Sequence, residues 1–174
     1  MKPLNYLVLL LFVIQLAGCQ QKEIPAELQE QLDKIAAEMV PQSAESIVDV
    51  DLVMSDGGVI TAKGETDLPA AKSAIIEMLE KAGVEYADSI SVMPDPAVVE
   101  KPYGLITVSV CNIRTRPSHA AEQSTQALMG TPVRILDKRS GWYLVQTPDS
   151  YTGWTDNDLA ELSDEELAAW KGSD

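Results

Sequence analysis

The sequence predicts an α+β chain: a small two-layer α/β unit followed by a small β-barrel. Three observations predict it. Residues 26–96 carry two stretches with helical apolar spacing and three with strand-like character, in the order α-β-β-α-β. Residues 103–160 carry several short strand patterns with closely spaced turns, which is the signature of a small barrel. Between them, Pro96 to Pro102 reads by composition as a linker, so that 97–102 divides the two units.

Each element follows from its residues. From Pro25 to Met39, the apolar positions Leu28, Leu32, Ile35, Ala36 and Met39 recur at three- and four-residue steps, with Glu, Gln and Lys between them. Pro25 suits a first helical turn and Pro41 stops the helix. Ile47 to Val53 alternates as a strand, Ser55-Asp56-Gly57-Gly58 turns the chain, and Val59 to Gly64 returns as the second arm of a hairpin. Leu68 to Ala82 is a second amphipathic helix, and Gly83 stands where a helix-ending glycine is expected. Ser89 to Met93 is a third strand, ended by Pro94-Asp95-Pro96. Two helices on one face of a small sheet form a two-layer unit.

In the second unit, Leu105 to Ile113 is strand-like and Arg116-Pro117-Ser118 is a loop. Ser124 to Met129 is apolar and polar by turns, and Gly130-Thr131-Pro132 turns the chain. Val133 to Leu136 alternates until Ser140-Gly141 breaks the run. Trp142 to Gln146 is a strand, Pro148-Asp149-Ser150 a turn, and Tyr151 to Trp154 the next strand. Residues 161–174 form an acidic, helical tail in which Leu162, Leu167 and Trp170 need something to pack on.

The N-terminus carries an address. Met1-Lys2 is a positive start, Leu7 to Ile14 is an unbroken apolar run, and small residues lead into Cys19. The run is shorter than the roughly 20 residues that span a bilayer. Leu16-Ala17-Gly18-Cys19 resembles the lipobox of bacterial lipoproteins. That resemblance implies removal of residues 1–18, lipidation of Cys19, and residues 19–25 as a lipidated tether. The membrane is then a partner through lipid, each buried methylene adding about 0.8 kcal/mol. Gln20 stands beside Cys19 instead of the Asp that retains enteric lipoproteins at the inner membrane, so the analogy points to the outer membrane.

Charge narrows the partners. The formal net charge is -14. Residues 20–102 hold 17 acidic and 6 basic side chains, 103–160 hold 5 of each, and the tail from Glu161 holds 5 acids against Lys171. Without a basic face, nucleic acid is excluded as a partner. With Cys19 acylated, Cys111 has no disulfide partner, and its apolar setting in Val108 to Ile113 reads as a small buried hydrophobe. The chain's one histidine, His119, lies in a loop after Pro117. Cys111 and His119 lack the separate helix and strand settings of a thiolate-imidazole pair, so no residue is assigned a catalytic role. No metal ligand set and no cofactor is expected.

Two family resemblances add to this reading. The glycine-turned hairpin, Gly64-Glu65-Thr66 leading into a helix, and a strand after Ala82-Gly83-Val84 loosely resemble the BON-type modules of bacterial envelope proteins. In the second half, Asn112-Ile113-Arg114 with Pro117, the Gly130-Thr131-Pro132-Val133 corner, Gly141-Trp142-Tyr143-Leu144-Val145 and Gly153-Trp154 resemble a bacterial SH3 (SH3b) domain. Ile113, Val133, Leu144 and Val145 are expected to face its core. SH3b domains as a class bind cell-wall peptides and glycans, or orient catalytic domains near them.

The longer string from Ser109-Val110-Cys111-Asn112-Ile113-Arg114 through Gln126 to Pro132 and Trp142 to Asp149 looks like the first SH3b domain of NlpC-type γ-D-glutamyl-L-diamino acid endopeptidases. Those enzymes trim free murein peptides, and continue into a second SH3b domain and a Cys-His catalytic domain absent from this sequence. In that family an acid and a tyrosine of the first SH3b domain hold the peptide's N-terminal ammonium. The matching positions are Glu122 and Tyr151, with Arg116, Trp142 and Trp154 as further candidates on the same surface. The two tryptophans suit barrel packing as well as ligand stacking. Ser150 stands where the relatives more often have glycine.

Three readings follow. The leading one is a lipid-anchored envelope protein whose SH3b domain binds or positions murein peptides without catalysis. The second is the N-terminal part of a murein-peptide cysteine endopeptidase whose catalytic domain lies elsewhere. The third is a structural adaptor that docks another envelope protein or a partner catalytic domain.

Overall fold

The computed structural model describes residues 23–40, 45–55, 57–156 and 158–173. The expected lipidation site Cys19 and the expected signal segment before it lie outside the described residues.

The first unit has the expected order. Helix α1 (Ala26–Met39) precedes strands β1 (Val48–Met54) and β2 (Ile60–Thr66), then helix α2 (Pro69–Lys81) and strand β3 (Tyr86–Val92). β1 and β2 pair antiparallel across the Ser55 to Val59 turn, whereas β3 pairs parallel to β2. A parallel neighbour requires a crossover, and α2 supplies it. Strand β3 begins three residues before the sequence pattern suggests. Its pairing with β2 runs from Ile60–Tyr86 to Thr66–Val92 and recruits Tyr86 to Asp88, which carry little alternation of their own.

Alternation sets the two faces. Val50, Leu52, Ile60, Ala62 and Ile90 turn inward and meet Leu28, Leu32, Ile75, Met78 and Leu79 from the helices. The opposite face presents Asp49, Asp51, Lys63, Ser89 and Ser91. At Gly64 the backbone φ is +148°, and an added Cβ would stand 2.0 Å from the Asp49 carbonyl oxygen. The β1–β2 approach therefore requires glycine there.

The second unit is a seven-stranded sheet. Its strands are β4 (Tyr103–Ile106), β5 (Val110–Arg114), β6 (Gln123–Leu128), β7 (Pro132–Arg139), β8 (Trp142–Gln146), β9 (Thr152–Thr155) and β10 (Leu159–Leu162). Helix α3 (Asp164–Lys171) follows. The spatial order is β10-β4-β7-β8-β9-β5-β6. The single strand expected over Leu105 to Ile113 is two. Thr107 donates from its backbone N and its Oγ1 to the Asp158 carbonyl, at 2.9 and 3.1 Å, and the chain changes partners there. β4 pairs with β7 and β10, while β5 pairs with β6 and β9.

The 97–102 connector is packed. Val99 is buried with the barrel residues Ile106, Ile113, Val133, Ile135 and Val145, and the Pro102 carbonyl accepts from Ile135 N at 2.8 Å. Composition hides this because one buried valine does the anchoring. Of the four residues expected in the barrel core, Ile113, Val133 and Val145 are there. Leu144 instead joins Met93, Leu136 and Trp154 in a separate apolar cluster, against which Ile47 and Trp142 pack. Met93 and Ile47 belong to the first unit, so this cluster is the joint between the two.

The expected tail boundary at 160/161 falls inside β10, which pairs with β4 from Leu159–Ile106 to Leu162–Tyr103. Glu161 is tied into the sheet by Lys138 Nζ and by Tyr143 Oη, the latter at 2.9 Å. α3 starts with a capping box between Ser163 and Glu166, buries Leu167 and leaves Trp170 exposed. Lys101 Nζ pairs with Glu166 at 2.8 Å, holding the helix to the connector.

Two outcomes follow for stability. Replacing Gly64 by Ala should cost about 3 kcal/mol or more in denaturant unfolding, since backbone rather than a flexible side chain blocks the new atom. At Glu161, burial pushes the carboxyl up, but bonds from Lys138 and Tyr143 and the charges of Lys138 and Lys101 leave it below its ordinary value. A depressed carboxyl contributes stability above its unfolded value, near 4.3, and loses it as pH falls through the folded value. Glu161→Gln should therefore cost about 1 kcal/mol at pH 7. The gap to wild type should close as the unfolding midpoint is followed below pH 4.3.

Candidate functional site

Three of the five candidate residues lie in the connections that follow β5 and precede β9. Arg114 stands opposite Gln123 of β6 and opposite Trp154 of β9. Arg116 and Glu122 stand near the two ends of the β5–β6 loop and Tyr151 in the turn before β9, and all three are exposed. The loop between them is closed at its base. Thr115 N donates to the Glu122 carbonyl and Arg114 Nη1 to the Ala121 carbonyl, both at 2.9 Å.

Tyr151 is presented by a tight turn. Ser150 N donates to the Thr147 carbonyl and Thr147 N to the Tyr151 carbonyl, both at 2.9 Å. Thr147 Oγ1 also bonds Asp149 and Tyr151, so the turn is held from inside. Ser150 has φ of +73°, the left-handed region that glycine enters without steric cost. Ser150 therefore holds a backbone conformation that is strained for a residue with a side chain.

Trp142 and Trp154 occupy other settings. In the β8–β9 register, Gln146 faces Thr152 and Tyr143 faces Thr155, which puts Trp142 at the opposite end of β9 from Tyr151. It is half-buried against the joint, and His119 lies on it with ring centres 4.9 Å apart. Trp154 is 8% exposed, packed in the joint, with the Arg139 guanidinium 5.5 Å from its ring centre.

Trp154 also lines a groove of about 350 Å³ between the two units. The barrel side supplies Thr115, Ser124 and Thr152, each within two residues of Arg116, Glu122 or Tyr151. The sheet of the first unit supplies Asp49 and Glu65. Gly153 lies in the floor because a Cβ there would meet Ile113 Cγ2 at 2.6 Å and the Arg114 carbonyl at 2.8 Å, so β5 and β9 close up beneath the groove. Asp49 and Glu65 are the residues that sequence reasoning missed. Their alternation on β1 and β2 was readable, but nothing local says that this face turns toward the barrel.

The joint carries its own electrostatics. Arg139 pairs with Glu65 across the units and, through Nε, with Asp137 Oδ2 at 2.5 Å. Burial works against the Arg139 charge, yet Glu65 and Asp137 outweigh it and hold the guanidinium more firmly protonated than usual. Gln146 Nε2 donates to the Glu45 carbonyl at 2.7 Å, a second bond between the units.

Cys111 and His119 occupy separate environments. Cys111 is fully buried, its Sγ 2.9 Å from Thr155 Oγ1, and burial pushes its thiol up. His119 is exposed, 3.8 Å from Asp156 Oδ2. A thiol kept protonated in a core strand is a packing residue. Among the described residues, no group of three His, Cys, Asp or Glu side chains is arranged to hold a metal ion. Nor is any helix among them long and apolar enough to cross a membrane.

Residues 113–158 match the family described as the bacterial dipeptidyl-peptidase Sh3 domain, so the chain carries a bacterial SH3 domain there. No curated protein matches the chain. The matched span includes Arg116, Glu122, Trp142, Tyr151 and Trp154, together with the barrel wall of the groove.

The turn before Tyr151 yields a direct check. Ser150→Gly should stabilise the protein by up to about 1 kcal/mol in thermal unfolding, because glycine relieves the positive φ.

Proposed function

We propose that this chain is a lipid-anchored protein of the bacterial envelope whose SH3 domain binds or positions murein peptides and performs no catalysis of its own. The observation that carries this reading is the bacterial SH3 domain over residues 113–158, in which Arg116, Glu122 and Tyr151 are exposed on loops. A carboxylate and a phenol in that setting suit an ammonium group, through charge pairing and a hydrogen bond. Confinement on the lipid at Cys19 would raise the effective concentration near the cell wall, so a modest intrinsic affinity suffices. The outer membrane is the proposed address, on the strength of Gln20 beside Cys19. The burial of Cys111 and the exposure of His119 support a non-catalytic role.

A second reading has its own support. The matching domain family is named for dipeptidyl-peptidases, which favours a chain that serves as the recognition half of a murein-peptide endopeptidase, with catalysis supplied by a partner domain.

A titration of residues 20–174 with the tripeptide L-Ala-γ-D-Glu-diamino acid, followed by amide NMR, tests the proposal. Shifts should centre on Glu122 and Tyr151 and vanish when the peptide's N-terminus is acetylated. Glu122→Gln should weaken binding about tenfold, as loss of one charged hydrogen bond does. The absence of shifts at millimolar peptide would remove peptide binding from the isolated chain and turn attention to a protein partner.

A further inference from the structure

Within the β5–β6 loop, Ser118 N donates to the Arg116 carbonyl at 2.8 Å, Ala121 N to the Ser118 carbonyl at 3.0 Å, and Ala120 N to Ser118 Oγ at 3.3 Å. These bonds shape the loop but stay inside it. His119, in the middle of the loop, reaches outward. Its ring centre lies 4.9 Å from that of Trp142 at a 55° tilt, and its Nε2 stands 3.8 Å from Asp156 Oδ2. Trp142 opens β8 and Asp156 directly follows β9, so one imidazole spans two elements of the barrel frame. The His119 side chain is 77% exposed, so burial does little to keep it there. Both contacts gain from a positive charge on the ring, one by attraction to the indole face and the other by pairing with a carboxylate.

The surroundings favour a cation at this point. Beyond Asp156 lies Asp158, whose carboxyl is pushed up by burial and by the charge and hydrogen bond of Asp156, and drawn down by the charge of His119. Two acids that repel each other thus share one titratable ring. On the β7–β8 side, Arg139 stands opposite Trp142, but Glu65 and Asp137 take up its guanidinium, and Lys138 is paired with Glu161. The loop itself adds Arg116 and Glu122, one charge of each sign. Histidine is the side chain that changes charge between about pH 5 and 8. We propose that the β5–β6 loop is a pH-responsive latch: protonated His119 clasps it to Trp142 and Asp156, and neutral His119 lets it open. Stronger acid slackens the latch again by neutralising the carboxylates, Asp158 taking its proton above the ordinary aspartate range. The loop presents Arg116 and Glu122, so the latch sets how firmly those side chains are held. It needs no bound peptide and stands apart from the murein-peptide reading.

Amide NMR of the intact chain in detergent, at about pH 8 and about pH 5.5, tests the latch. On acidification the ratio of closed to open loop should rise about tenfold, the combined gain of an exposed cation–π contact and an exposed ion pair. Backbone order parameters of residues 118–120 should climb from below about 0.6 toward about 0.85, and the Trp142 indole N–H signal should move over the same interval. His119→Gln, neutral throughout, should leave the loop mobile at both pH values. His119→Arg, charged throughout, should keep it ordered at both. Asp156→Asn should cut the rise to about threefold, the Trp142 contact remaining. His119 is exposed, so neither of its replacements disturbs the barrel core. A wild-type loop equally ordered at both pH values, or a transition that persists in His119→Gln, would overturn the latch.

Discussion

The structure depends on a joint in which one guanidinium is shared between two units. Arg139 sits at the end of β7, pairs with Asp137 on its own strand and Glu65 on the neighbouring sheet, and lies over Trp154. Surface ion pairs alone contribute about 1 kcal/mol or less. The larger share comes from the apolar contacts beneath, where Met93 of the first unit is buried with Leu136, Leu144 and Trp154. A fully buried side chain of that size contributes about 1.5–3 kcal/mol. Arg139 therefore orients the joint more than it cements it. Asp137 is itself buried, so the arginine also compensates a charge that would otherwise be costly to keep there.

This joint explains why the groove exists at all. A β-barrel of this size fills its interior with side chains, here Ile106, Cys111, Ile113, Ile135 and Val145, and leaves no room for a ligand. Binding surface must come from loops at the barrel's ends or from a second body placed against it. Both occur together. The loop after Arg114 and the turn before Thr152 supply exposed Arg116, Glu122 and Tyr151, and the open face of the β1–β3 sheet supplies a carboxylate wall. The acidic bias of the first unit is thereby concentrated where the neutral barrel has hydroxyl groups. A cationic ligand would meet complementary charge on one side and hydrogen-bonding groups on the other.

Much was legible in the residues. The α-β-β-α-β order, the glycine turns, the capped tail helix and the buried character of Cys111 follow from periodicity and turn chemistry. Other features left no local trace. The break between β4 and β5 depends on bonds from Thr107 to Asp158, 51 residues away. The packed connector depends on Val99 finding the barrel core, and the early start of β3 on a parallel partner.

The chain by itself determined which segments are helices, which are strands, and which loop residues carry charge or aromatic rings. Those properties arise from interactions within a few residues, so they are written in spacing. Tertiary structure decided which face of the first sheet turns toward the barrel, that Leu144 and Trp154 belong to the joint, and that Asp49 and Glu65 share a groove with Thr115, Ser124 and Thr152. These depend on contacts between residues some 50 to 100 positions apart. Alternation marks a face as apolar or polar, but it carries no record of what that face will meet.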